Sequence, residues 1–295
     1  MEALPIWLLE NNTGLQLLSL RSNSFVGQFY LPSYHYMDLH WLDVSDNNFD
    51  GQLQENIGKI SPKLEYLNLS RNYFEGNLPP SIGDMSNLKK LDLSFNNFSK
   101  EVPMELVANC TSLEILRLYN NYFHGEIFSK HFNLSSLISL ELQNNHFTGT
   151  LPMGRLNFNY LDISNNHMSS IIPGWMVNNK KYPMMLVDLS NNLFEGQIPC
   201  ELGSFAMINL SHNLLFGLLP SCLNLGNVEN LLLRGNILTG SLPKVVLNSS
   251  YLVTLDIRDN NFFGNIPKEI DRFSNLRVLL LSGNQFSGMI PKQLC

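Results

Sequence analysis

The first residues in this chain whose types and spacing could do chemistry are acids at a fixed place in a recurring phrase. Asp43, Asp92, Asp162, Asp188 and Asp256 each stand in a phrase of the LDLS or LDVS kind. Carboxylates serve as general acids and bases, or as hard oxygen ligands to metals. Here the acid returns once per phrase, always at the same slot. The preferred reading is therefore a solvated, outward-facing strand residue at all five positions. Seven His are scattered over strands and turns, with surface or packing roles, and no Ser/His/Asp set or phosphate loop accompanies them. No CxxC or His/Cys cluster points to a metal. The sequence nominates no catalytic residue, no metal and no cofactor, and the chain is not expected to be an enzyme.

The spacing of those acids comes from a larger sentence, LxxLxLxxNxFxGxIPxxL. Its Asn falls at Asn23, Asn47, Asn72, Asn96, Asn121, Asn145, Asn166, Asn192, Asn213, Asn236, Asn260 and Asn284, at intervals of 21 to 26 residues. In one unit, Leu91 and Leu93 alternate with Lys90, Asp92 and Ser94, which predicts a short strand with one buried and one wet face. Asn96 then turns inward to bond backbone groups that burial would leave unpaired. Two residues on comes a large apolar side chain, Phe in nine of twelve units and Met168, Leu215 or Leu238 in the rest. A stacked aromatic spine is expected. Gly follows two positions later, except at Lys100 and Ser170, where a reversing chain needs positive φ or close approach. Pro then suits an extended outer segment.

This period and motif are those of leucine-rich repeats. No unit can bury its Leu and Phe face alone, so stacking makes the core. The expected fold is a leucine-rich-repeat solenoid, an α/β-type right-handed superhelix. About twelve plant-type repeats would present a concave parallel β-sheet on the order of 50 Å long. Residues 1–295 are expected to form a single solenoid, a fragment of a longer ectodomain lacking both caps.

The endings FEGNLP (74–79), FEGQIP (194–199), LTGSLP (238–243), FFGNIP (262–267) and FSGMIP (286–291) resemble the plant-type repeat. LEYLNLSRNYFEGNLPPSIGDM (64–85), ANCTSLEIL (108–116), LVTLDIRDNNFFGNIPKEI (252–270) and IPKQLC (290–295) are similar to plant leucine-rich-repeat receptor-like proteins. The resemblance covers essentially the whole chain. It implies a cell-surface ectodomain at the plasma membrane's extracellular face, anchored by one helix outside this chain and signalling through partner receptor kinases. The alternative is a secreted inhibitor resembling the polygalacturonase-inhibiting proteins.

Composition fits that setting. Net charge is −6 and only 15% of residues are charged, which gives no footing for nucleic acid or an anionic membrane. No run approaches 18 uninterrupted apolar residues, so no membrane segment is expected. MEALPIWLLENNTG has no basic n-region and is broken by Pro5 and Glu10, unlike a signal peptide.

Cys200 lies eight residues after Asn192, and Cys222 nine after Asn213, which puts them close on adjacent coils. A bridge and two free thiols are weighed about evenly, an extracellular setting favouring the bridge. Cys110 is expected to fill a buried slot, and Cys295 to be unpaired. Glycosylation sequons occur at Asn11, Asn68, Asn97, Asn109, Asn133, Asn209 and Asn248. Roughly four or five would arise by chance, so they argue only mildly for secretion. Asn68 and Asn209 are mid-strand, where a glycan would block the concave face.

The binding candidates are residues that break the Asp/Ser default of the exposed strand face. Arg117, Tyr119, Glu141 and Gln143 do so together on two adjacent strands, and Arg234 and Arg258 do so later. Trp41, Tyr66 and Tyr160 begin other strands on that face. Side chains alternating from stacked strands form one surface, and aromatic and Arg residues dominate binding hot spots. Ordinary variation on a solvated sheet is the competing reading for each one. The longest unit carries GWMVNNKKYPMM (174–185), where an outer bulge is expected. The expected partners are a peptide, glycan or protein ligand and a co-receptor kinase, with no nucleic acid.

Overall fold

A computed structural model describes residues 9–10, 12, 14–32, 38–152, 158–174, 184–200, 205–223, 225–247, 249–272 and 274–292. Expectations that fall on Asn11, Asn248, Cys295 and most of the 174–185 segment lie outside the described residues. The chain forms two compact units, Met1–Thr148 and Gly149–Cys295.

In the first unit the LxL phrases form six parallel strands: Leu17–Ser19, Trp41–Asp43, Tyr66–Asn68, Lys90–Asp92, Ile115–Arg117 and Ser139–Glu141. Register is exact in phrase position, with Leu42 beside Leu67, then Leu91, Leu116 and Leu140. These leucines are fully buried. The second unit repeats the plan with Tyr160–Asp162, Met184–Asp188, Phe205–Asn209, Asn230–Leu232, Thr254–Asp256 and Val278–Leu280. Each unit is thus a leucine-rich-repeat β-solenoid.

Each unit has a second parallel sheet that the sequence reading treated only as a turn and an extended segment. In the first it runs through Val26–Gln28, Asn48–Gln52, Tyr73–Gly76, Asn97–Glu101, Tyr122–Glu126 and His146–Thr148. In the second it runs from Ser169–Ile171 to Gln285–Ser287. Most of these strands carry the spine residue, the Gly of the phrase, or both. Helical segments are short, such as Met104–Asn109 and the 3-10 turn Pro80–Asp84. Among the described residues no helix is long and apolar enough to cross a membrane.

Two devices lock neighbouring coils. The first is an amide ladder. Asn96 donates from Nδ2 to the carbonyl of Leu69 one coil back, at 3.0 Å, and to Leu93 in its own coil, at 3.1 Å. Its Oδ1 accepts from the Phe74 N–H at 3.0 Å. The same pattern holds at Asn72 and Asn121 and on to Asn284. The second is the aromatic spine. Phe25, Phe49, Phe74, Phe98, Phe123 and Phe147 stack at centroid spacings of 5.9–6.3 Å. In the second unit Met168, Leu215 and Leu238 interrupt that column, and Phe262 stacks on Phe286 at 6.4 Å.

The backbone pays attention to one further position. The residue just before every ladder Asn has positive φ, from Ser22 at 54° to Gly283 at 70°. Lys100 and Ser170, which replace the Gly of the phrase, also have positive φ, at 73° and 90°. The turn therefore demands the left-handed conformation there even without glycine, at a strain of roughly 1–3 kcal/mol per residue.

Candidate functional site

The exposed face of the first unit's main sheet is an array of four columns, set by distance from the ladder Asn. Six residues before it stand Trp41, Tyr66 and Lys90, which are neighbours in register. The Trp41 and Tyr66 rings stack at 3.6 Å and 4°. Trp41 is 39% exposed, and the Lys90 ammonium lies 5.0 Å from the Tyr66 ring.

Four residues before the Asn stand the phrase acids, and here the structure corrects the sequence reading. Asp43, Asp92 and Asp256 are not solvated: they are 4–6% exposed. Asp43 Oδ1 accepts from the Ser45 backbone N–H at 3.0 Å and from Ser45 Oγ at 2.6 Å. Asp92 with Ser94, Asp162 with Ser164 and Asp188 with Ser190 repeat this loop. Asn68 takes the same place with Ser70. The D-x-S phrase is a local clasp that satisfies a backbone donor at the strand end, which is why it recurs.

Arg117 and Glu141 occupy that acid column on adjacent strands. Arg117 Nε donates to Glu141 Oε1 at 2.8 Å, and its guanidinium lies 3.5 Å from Asp92. Burial works against the guanidinium's charge, but the Glu141 bond and the Glu141 and Asp92 charges outweigh it and raise its pKa. These two residues neutralise each other and hold neighbouring coils together. Tyr119 packs edge-on against Phe95 at 5.3 Å, and Phe95 carries the Arg71 guanidinium at 4.3 Å. Gln143 is half-buried, and its Oε1 is enclosed without a hydrogen-bond partner among the described residues.

The remaining candidates belong to the second unit. Arg234 pairs with Asp259 at 2.8 Å. Arg258 grips Asp256 twice, with Nε to Oδ1 at 2.9 Å and a terminal nitrogen to Oδ2 at 2.7 Å. Burial pushes the Asp256 carboxyl up, but the bonds and charge of Arg258 more than reverse that and lower its pKa. Tyr160 is half-buried at the start of its strand, in register with Leu186.

Cys200 and Cys222 are joined in a disulfide with their Cα atoms 5.3 Å apart. Cys110 is a buried free thiol, pushed up to about 12 by burial and by the Asp84 charge. Of the sequon residues, Asn97, Asn109 and Asn133 are exposed. Asn68 is 8% exposed, and its Nδ2 donates to the Tyr66 hydroxyl at 3.2 Å. Asn209 donates to Asp188 Oδ2 at 2.8 Å.

Sequence reasoning missed Arg21, Arg71, Lys90 and Phe95 on this face. None of them recurs from coil to coil within the first unit, so no repeated phrase singled it out. For Arg21 and Arg71 the legible signal was charge, since each stands where the neighbouring coil carries Ser or Asp; Phe95 and Lys90 gave no such signal.

The Leucine Rich Repeat family matches residues 38–60, 63–85, 87–109, 157–179, 251–273 and 275–295. Over 60 residues the chain is 43% identical to Cuscuta receptor 1 of Solanum lycopersicum. Over 63 residues it is 48% identical to Receptor-like protein 15 of Arabidopsis thaliana. Those alignments cover 20% and 21% of this chain but only 5% and 6% of the relatives. Among solved structures, the Arabidopsis receptor kinase HAESA, in complex with the peptide hormone IDA and the co-receptor SERK1, superposes with a TM-score of 0.83. The match has 28% identity and covers 97% of this chain and 52% of that one. The repeat phrase, the amide ladder, the paired sheets and these likenesses agree: the chain is built of leucine-rich repeats and is similar to the plant receptor-like proteins.

Proposed function

We propose that this chain is the ligand-binding segment of a plant cell-surface receptor-like protein. It recognises a peptide, glycan or protein ligand on the exposed face of its main sheet, without chemistry, and signals through a partner receptor kinase. The carrying observation is the first unit's face, where Trp41, Tyr66, Phe95 and Tyr119 gather beside Arg71 and Arg117 within a few strands. Aromatic and Arg side chains on rigid strands contribute most to binding hot spots. The HAESA ectodomain, which carries a peptide hormone and a co-receptor, supports the reading by likeness of fold.

The test is a pull-down from plant extracellular fluid with the secreted chain, followed by titration of the recovered partner. Alanine at both Arg117 and Tyr119 is expected to weaken that partner at least about tenfold, equivalent to 1.4 kcal/mol. Circular dichroism checks folding, because the change leaves Glu141 and Asp92 without their cation. Undiminished binding by the folded double variant would sink the reading.

Glycan placement gives a second check on an extracellular life. Asn97, Asn109 and Asn133 are expected to carry glycans in the secreted chain, because their side chains are exposed. Asn68 and Asn209 are expected bare, because a glycan would break the bonds to Tyr66 and Asp188. Glycopeptide mass spectrometry reads this directly, and full occupancy at Asn68 would contradict the sheet-face packing.

A further inference from the structure

Arg21, Arg71 and Lys90 form no ion pair among the described residues, although every other Arg on the candidate face does. They line one depression of about 310 Å³, together with Arg117 and with Asp46 and Asp92. Four cations line it, but Glu141 on the next strand pairs with Arg117, so the unpaired cations are Arg21, Arg71 and Lys90. Both acids are already engaged. Asp92 accepts from Ser94 and lies 3.5 Å from Arg117, and Asp46 Oδ2 accepts from Ser22 Oγ at 2.9 Å. In a chain of net charge −6 these three unpaired cations are a local concentration of positive charge, which raises the field felt by an incoming anion.

Ring contacts hold two of these cations in place without neutralising them. The Arg71 guanidinium sits 4.3 Å from the Phe95 ring centroid and the Lys90 ammonium 5.0 Å from that of Tyr66. Phe95 does this from a left-handed backbone at φ 54°, the one bulky apolar residue at a position filled elsewhere by Ser, Asp, Arg, Asn, His or Gly. A strained, 37% exposed Phe contributes little to the core. Its ring is spent on orienting Arg71.

We propose that this depression is an anion site that receives a carboxylate side chain of an acidic peptide ligand, with Arg71 and Lys90 as its pairing groups and Arg21 at the rim. The inference rests on the sheet face being the ligand-binding surface and names the chemistry it selects. A peptide is favoured over an acidic glycan because the Tyr66 ring is covered by Trp41 at 3.6 Å and approached by Lys90 at 5.0 Å. The Tyr66 ring therefore leaves no face on which a sugar ring could lie.

The experiment uses a fluorescein-labelled tetraglutamate peptide, titrated against the 295-residue chain by fluorescence anisotropy at low salt. Tetraglutamate is expected to bind and tetralysine not to. Arg71→Gln with Lys90→Gln is expected to weaken tetraglutamate at least tenfold, and added salt to weaken it in the wild type. Lys130→Gln, at an exposed lysine elsewhere in the unit, is expected to leave it unchanged. Equal affinity in the folded double variant and the wild type overturns the proposal. So does tighter binding of oligogalacturonate than of tetraglutamate, which would make the site one for acidic glycans. Arg117 and Tyr119 are untouched here. A failed tetraglutamate titration alongside a lost partner in the Arg117/Tyr119 variant would therefore remove the anion site and leave the binding face standing.

Discussion

Replacing Asn121 with Ala is expected to destabilise the chain by about 4 kcal/mol, one of the two largest losses a single ladder or spine position should give. Asn121 is 6% exposed. Its Nδ2 donates to Leu93 O at 2.9 Å and Leu118 O at 3.0 Å, and its Oδ1 accepts from the Phe98 N–H at 3.0 Å. Alanine leaves the Phe98 donor enclosed and unpaired and takes one donor from each carbonyl. An orphaned buried donor alone costs about 1–3 kcal/mol. Asn121→Leu is expected to be as harmful, because it restores volume but none of the bonds. Asn77 is exposed, and Asn77→Ala should change stability by less than about 0.5 kcal/mol. Urea unfolding followed by circular dichroism separates these outcomes. A midpoint for Asn121→Ala no lower than that of Asn77→Ala would show that the ladder is ornamental.

The ladder was legible because one residue type fills one slot twelve times over. Residue type also gave away the LxL strands and the Phe column. The position before each ladder Asn was not legible, although its left-handed φ is just as regular. Ser22, Asp46, Arg71, Phe95, Asn120 and His212 all occupy it, so the backbone imposes a conformation that no shared side chain announces. The second sheet was missed for a related reason. Its strands are three to five residues long, and most carry a positive-φ Gly, so alternation has no length in which to show.

The candidate site was half legible. Departures from the Asp/Ser default led to Arg117, Tyr119, Glu141 and Gln143, but a departure does not reveal whether a charge is free. Arg117 and Glu141 stand at the same phrase position on neighbouring strands. Opposite charges that close in register satisfy each other, and that spacing could have predicted the pair. The acids of the LDLS phrase were misread for the opposite reason. Their position alternates outward, which argued for solvent, but a Ser two residues on closes over each carboxylate of that form. The free cations emerge only once the paired ones are accounted for.

Cutting Phe98 back to Ala is expected to cost about 3–5 kcal/mol, the usual range for emptying a buried aromatic site. Its ring is fully buried and lies between Phe74 at 6.1 Å and Phe123 at 5.9 Å, both nearly parallel to it. Alanine loses the buried area and both stacking partners, and the coils on either side cannot collapse into the gap. They are fixed by the ladder bonds of Asn96 and Asn121. Leucine is the informative comparison, because Leu215 and Leu238 fill this column in the second unit, fully buried. Phe98→Leu should keep most of the apolar volume and forfeit only the stacking, costing less than about 1.5 kcal/mol. Thermal unfolding of the two variants then separates volume from aromatic contact. If alanine and leucine lower the midpoint equally, stacking rather than packing holds the spine, and the second unit must compensate for its aliphatic gaps in some other way.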